Sequence, residues 1–386
     1  MKLGLATIFL LACATSSTNP DAPPSNIDGK SGGSADARPD GATVAAMCPD
    51  GQYATAIAAN GAMTCATTDE ATGVAVRSRC SVYMGQHDSC TGCADPPTKW
   101  SANGPLACSP GAGAGNTCLT ATLDDPQNPA SLATLDLDGD VNGDDKFYST
   151  LHCVTAAQQP RPAPCAPGWA IHGKDGDTWM CAPVAEAAVG YVRSKCALYF
   201  AWHDSCGSCA DAPTKWGFAN DTTCMNGAGG NDTCTTTTLG GENVKLFGLS
   251  TDGDVNDDDK FYVGLACDPT AGAPSDTKTS CPDGQFVVAT NADGTFHCAD
   301  PAVSFAGYMG GHCALMFGWH DSCDACTQPP SKWGKVTTGA CLNGGGVDNT
   351  CGMFALGAAN VPMFGLNTDG NVNGDDTFYF GLRCTP

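Results

Sequence analysis

Basic residues are scarce in this chain of 386 residues: 18 Lys and Arg stand against 40 Asp and Glu, for a formal net charge of -22. A surface so charged repels phosphate backbones and anionic lipid headgroups, which argues against nucleic acid as a partner. Long apolar runs are lacking too. The one at the N-terminus, Leu3 to Ala12, is too short for a bilayer core, which takes about 20 residues, and no later segment approaches 18. Between Ala14 and Ala46 there is no aromatic residue, only Ser, Thr, Pro, Gly, Asp and Ala with few others. Such a stretch has too little apolar surface to offset the entropy of ordering and reads as a disordered tether. No deep-cleft signature, no activated nucleophile and no catalytic metal triad stands out, so the sequence offers no mechanism for an enzyme.

Cysteine, by contrast, is abundant: 25 residues, of which all but Cys13 fall into a repeated pattern. Successive spacings from Cys48 are 17, 15, 10, 3, 15, 10 and 35; from Cys165 they are 16, 15, 10, 3, 15, 10 and 33; from Cys281 they are 17, 15, 10, 3, 15, 10 and 33. Five consecutive spacings agree in all three, as triplication of one segment of about a hundred residues would leave them. The copies are 48–153, 165–267 and 281–386, joined by Pro-, Ala-, Thr- and Asp-rich segments 154–164 and 268–280 that read as linkers. The expected fold class is a disulfide-rich, mainly β protein of three tandem copies of a small loop-rich module.

Eight cysteines per copy at fixed spacing in an exported chain predict four bridges each. The set is Cys48, Cys65, Cys80, Cys90, Cys93, Cys108, Cys118 and Cys153; Cys165, Cys181, Cys196, Cys206, Cys209, Cys224, Cys234 and Cys267; and Cys281, Cys298, Cys313, Cys323, Cys326, Cys341, Cys351 and Cys384. Spacing leaves the connectivity open, except that Cys48–Cys65, Cys165–Cys181 and Cys281–Cys298 enclose short hairpin patterns with Asn-Gly or Asp-Gly turns. Val189–Trp202, Phe305–Trp319 and Phe261–Cys267 read as strands, and no amphipathic helix of a dozen residues stands out.

Two motifs recur with candidate chemistry. Each copy carries an acidic loop: Asp138, Asp140, Asn142 and Asp144 in the first; Asp252, Asp254, Asn256 and Asp258 in the second; Asp369, Asn371, Asn373 and Asp375 in the third. Oxygen donors at alternate positions of a tight loop suit a hard cation that takes six to eight oxygens. The loops resemble the start of dockerin and EF-hand calcium loops, which implies calcium as cofactor, although none carries the Glu at the twelfth position. The other motif is His-Asp-Ser-Cys-x-x-Cys, which offers His87, His203 and His320 as ligand-binding candidates. Trp202 and Trp319 just before it are candidate stacking platforms, where the first copy has Gln86. Trp100, Trp216 and Trp333 read as core.

The N-terminus, with Lys2, a short apolar run and Leu10-Leu11-Ala12-Cys13, resembles the signal peptide and lipobox of bacterial lipoproteins. The resemblance implies signal cleavage after residue 12, acylation of Cys13 with palmitate-type chains, and a membrane partner through that anchor. The anchor sits in the cell envelope, and Ala14 after the Cys resembles the outer-membrane sorting pattern. The expected function is a tethered array of calcium-stabilised modules for adhesion to a glycan or protein ligand, with a structural envelope or coat protein as the alternative.

Overall fold

Strands make up most of the described residues, and three short helices among those residues interrupt them; central strands such as Lys146–Cys153 are buried on both faces, while outer ones such as Thr233–Leu239 alternate. The computed structural model describes residues 44–88, 97–121, 123, 130–137, 140–141, 145–204, 213–239, 241–251, 255, 259–321, 329–356, 359–368, 372 and 376–385.

Each copy runs hairpin, helix, then strands. The hairpins are Gln52–Ile57 with Met63–Thr67, Trp169–Asp175 with Thr178–Pro183, and Phe286–Asn291 with Phe296–Ala299. Their expected bridges are present: Cys48–Cys65, Cys165–Cys181 and Cys281–Cys298. The helices are α1 (Asp69–Arg79), α2 (Val184–Lys195) and α3 (Ala302–His312). Two of them, α2 and α3, take the first halves of Val189–Trp202 and Phe305–Trp319, which read as strands in the sequence, whereas Phe261–Cys267 is a strand as expected. Their apolar residues do not gather on one stripe because each helix packs on both the other helices and the sheets below, so its pattern lacks the one-sided signature of a surface helix. The electrostatic cue was present: acidic residues open α1 and α2 and basic ones close them, matching the helix dipole.

A long strand follows each helix directly, Cys80–His87, Cys196–His203 and Cys313–His320, and each pairs antiparallel with the last strand of its copy, Lys146–Cys153, Lys260–Cys267 and Thr377–Cys384. The bridges Cys80–Cys153, Cys196–Cys267 and Cys313–Cys384 tie these pairs at directly opposite residues.

The strands that lie beside these pairs, on the side of the last strand, come from other copies. Each copy supplies four strands to its own sheet and lends its remaining hairpin to another. The second copy's Thr233–Leu239 and Glu242–Ser250 complete the first sheet through Lys146–Cys153. The third copy's Thr350–Leu356 and Ala359–Asn367 complete the second through Lys260–Cys267. The first copy's Cys118–Ala121 and Ala130–Asp136 complete the third through Thr377–Cys384. Three six-stranded sheets thus form a closed cycle of exchange. The bridges Cys108–Cys118, Cys224–Cys234 and Cys341–Cys351 each join two different sheets, covalently stapling the cycle. Each of the nine bridges among the described residues contributes roughly 2–4 kcal/mol.

The cycle recurs at every level. Phe147, Phe261 and Phe378 meet edge to face with ring centroids 5.2–5.8 Å apart in the central core. Phe247 and Phe364 lie over Gly217 and Gly334 of neighbouring sheets, where an added Cβ would come within 2.2 Å of the ring. At the hairpin end the first cysteine of each copy donates to another copy's hairpin: Cys48 N–H to Val288 C=O, Cys165 to Thr55 and Cys281 to His172. The strand Val44–Met47 pairs with Phe286–Asn291, so the start of the folded chain is held by the third copy. The segments read as linkers also pair: Arg161–Pro162 and Ser275–Thr277 are short strands on the hairpins that follow them. The three copies are one compact unit, 42–386, rather than beads on a string.

Candidate functional site

The long strands carry the chain from the helix end, at Cys80, Cys196 and Cys313, to the opposite end, at His87, His203 and His320. In the ladder His87 lies opposite Lys146, His203 opposite Lys260 and His320 opposite Thr377, each the residue after the aspartate that ends an acidic loop. The two motifs singled out in the sequence therefore share one end of the molecule.

Most loop residues, Asp138, Asn142, Asp144, Asp252, Asp254, Asn256, Asp258, Asp369, Asn371, Asn373 and Asp375, lie outside the described residues, as do Cys13, Cys90, Cys93, Cys206, Cys209, Cys323 and Cys326. The described ones define the centre. Val141, Val255 and Val372, each midway along one loop, form a ring of backbone hydrogen bonds: Val141 N–H donates to Val372 C=O (2.9 Å), Val255 to Val141 (3.0 Å) and Val372 to Val255 (2.9 Å). All three side chains are buried. Asp140 beside the first is exposed. Asp145, Asp259 and Asp376, which close the loops, are fully buried.

Buried lysines underlie this pole. Lys99 donates to Asp136 Oδ2 (3.4 Å) and the Leu137 carbonyl (3.1 Å), Lys215 to the Ser250 carbonyl (2.8 Å), and Lys146 to the Asn231 carbonyl (2.7 Å). Burial holds Lys146 and Lys260 below the ordinary lysine range, opposed by Asp232 at Lys146 and Asp348 at Lys260.

Each candidate histidine is half-buried and donates from Nδ1–H to the carbonyl of the next residue, Asp88, Asp204 or Asp321 (2.8–2.9 Å). That bond fixes the tautomer and leaves the Nε2 lone pair as the available acceptor. Trp202 and Trp319 are different: both are fully buried in the central core, as is Gln86 at the matching position, so neither indole has a face to offer a ligand. They are core residues, and the stacking role expected of them is withdrawn. Trp216 packs in the outer cluster of the second sheet, with Trp100 and Trp333 at the edges of the corresponding clusters.

One buried polar cluster gave no repeated signal. His152 Nδ1 contacts Asp221 Oδ1, Arg193 Nε donates to Asp221 Oδ2 (3.0 Å), and the Cys153 amide donates to the same oxygen (2.9 Å). The cluster joins the first and second copies, and its only sequence trace is a histidine where the other copies have Ala266 and Arg383. Among the described residues no group of three or more His, Cys, Asp or Glu is arranged to hold a metal, and no helix is long and apolar enough to cross a membrane.

No family model, curated protein or solved structure matches this chain.

Proposed function

We propose that this protein is a lipid-anchored protein of the cell envelope whose acidic-loop pole binds calcium and whose folded body presents a surface for adhesion to a glycan or protein ligand. The observation that carries the reading is the ring of Val141, Val255 and Val372, which draws the middles of three acidic loops to one point. Oxygen donors at alternate positions of a short loop repel one another unless a cation offsets them, which favours calcium over a loop that serves as a turn alone.

The test is calcium titration by calorimetry into the oxidised full-length chain carrying Cys13→Ser, beside the same chain with Asp252→Ala and Asp254→Ala. Binding with a dissociation constant on the order of 0.1–1 mM, weakened by the substitutions, is the expected result. Heat absent at millimolar calcium would remove the cation and leave a cross-linked coat protein, which the nine bridges among the described residues favour as the second reading.

A further inference from the structure

The outer faces of the three sheets share a backbone plan but not a chemistry. Four positions define the same corner in each, where the long strand, its two neighbours and the tip of the lent hairpin meet. In the first sheet they are Tyr83, Ala102, His152 and Glu242; in the second Tyr199, Phe218, Ala266 and Ala359; in the third Met316, Lys335, Arg383 and Ala130. The first corner is filled by His152 and Asp221. In the second, alanines at 266 and 359 leave an open groove of about 680 Å³.

Its floor is apolar and aromatic. Phe218 is half-buried and leans on Tyr199 with ring centroids 4.8 Å apart, and Tyr199 in turn stacks on Trp216 at 6.4 Å. Burial pushes the Tyr199 phenol above its ordinary range, so it stays neutral and can both donate and accept. Along the rim stand the Thr223 hydroxyl, the Asn360 amide, and the Lys195–Asp268 pair at 3.1 Å. The two rim charges are spent on each other, so the groove offers hydrogen bonds without a net charge.

We infer that this groove binds a neutral oligosaccharide. A pyranose ring has one face of C–H groups, which matches the Phe218–Tyr199 floor, and an edge of hydroxyls that need both donors and acceptors, which the rim supplies. The volume falls in the range of ligand sites, roughly 300–1,000 Å³. Acidic sugars are disfavoured by a chain of net charge -22. The inference rests on the adhesion reading above and names its ligand class and its place, which is on the side of the second sheet rather than at the acidic pole.

The experiment applies the oxidised Cys13→Ser chain to immobilised neutral and acidic oligosaccharides, with and without calcium. It includes Ala266→Trp, which fills the groove, Phe218→Ala, which removes the floor, and Lys335→Ala in the third sheet as a control. Wild type and Lys335→Ala should bind neutral sugars, and the two groove variants should lose at least tenfold in affinity while keeping the wild-type thermal transition. If a groove variant does not fold, saturation-transfer NMR on the wild type replaces it: transfer to the sugar C–H face from the Phe218 and Tyr199 ring protons is expected. Sugar binding that survives in folded Ala266→Trp and Phe218→Ala, or that shows no transfer from those rings, overturns the groove and leaves the glycan reading standing. An array silent for the wild type overturns both.

Discussion

Two corners of this molecule have the same strands in the same register and opposite contents. Between the first and second copies the corner is packed with His152, Asp221 and Arg193; between the second and third it is an open groove over Phe218 and Tyr199. The central core beneath them is nearly uniform, with Phe147, Phe261 and Phe378 in matching places. The three sheets share one frame, and their outer faces differ while the inner ones are alike. A core residue contacts its counterparts in the other copies, so changing one changes the packing of all. An outer corner touches only the strands of its own sheet and the segments beside it, so it can change alone.

The sharpest way to break the comparison is at the shared hub. Phe261→Ala should cost about 3–5 kcal/mol and destabilise both corners in one cooperative transition, read by denaturant unfolding with a fluorescence and a circular-dichroism probe. Two separate transitions would show that the copies fold as independent units despite the exchanged hairpins.

A smaller effect separates the corners. Asp221→Ala strands His152 and Arg193 without their acceptor at a site where the Asp221 side chain is 2% exposed, and should cost about 3 kcal/mol. The matching substitution beside the groove, Thr338→Ala, should change stability by less than about 0.5 kcal/mol. Equal losses at both places would mean that the polar cluster contributes no more than an ordinary surface contact.

Alkaline titration treats the two corners alike. Burial raises Tyr83 and Tyr199, one in each corner, and carries Tyr53 up to about 12. A tyrosine whose pKa is higher folded than unfolded favours the fold fully below pH 10, and this contribution is lost as pH rises through the unfolded value toward the folded one. Phenolate absorbance near 295 nm should therefore appear for these residues together with unfolding. Early ionisation of Tyr199 alone would show that the groove is wetter than the His152 corner.

The smallest effect is at the groove rim. Hydrogen bonds from Thr270, then the Lys195 partner, hold Asp268 down at about 2. A depressed carboxylate contributes above its unfolded value near 3.8 and loses that contribution as pH falls through about 2. The carboxyl carbon shift of Asp268 followed by NMR should titrate in that window, and a midpoint near 4 would show that neither the Thr270 hydrogen bonds nor the Lys195 pair is formed in solution.

Much of the local structure was legible in the sequence. The hairpin bridges follow from turn residues between close cysteines, and Phe261–Cys267 reads as a strand because it alternates toward a terminal Cys. The exchange of hairpins was not legible. Residues such as Val244, Leu246 and Phe247 bury the same faces whichever sheet they join, so periodicity names the face and leaves the partner open. The helices hid for a related reason, since Ala188, Val192 and Tyr191 are buried on several sides at once. Trp202 and Trp319 misled because a tryptophan beside a polar motif looks the same in sequence whether it points out or in. The acidic loops were found from their spacing, but their convergence came only from the valines between them, which carried no signal of their own.

The bridge pattern also sets how the protein responds to being pulled. Cys80–Cys153, Cys196–Cys267 and Cys313–Cys384 span 73, 71 and 71 residues, and the hairpin bridges enclose 17, 16 and 17. Residues inside those covalent loops cannot lengthen under load, because force passes across the sulfurs. Pulled by its ends in an oxidising medium, the folded chain could lengthen only through the segments outside those loops, 66–79, 154–164, 182–195, 268–280 and 299–312, at no more than about 3.6 Å per residue. Reduction would free the residues inside the loops as well, so the same force would draw the chain out several times further.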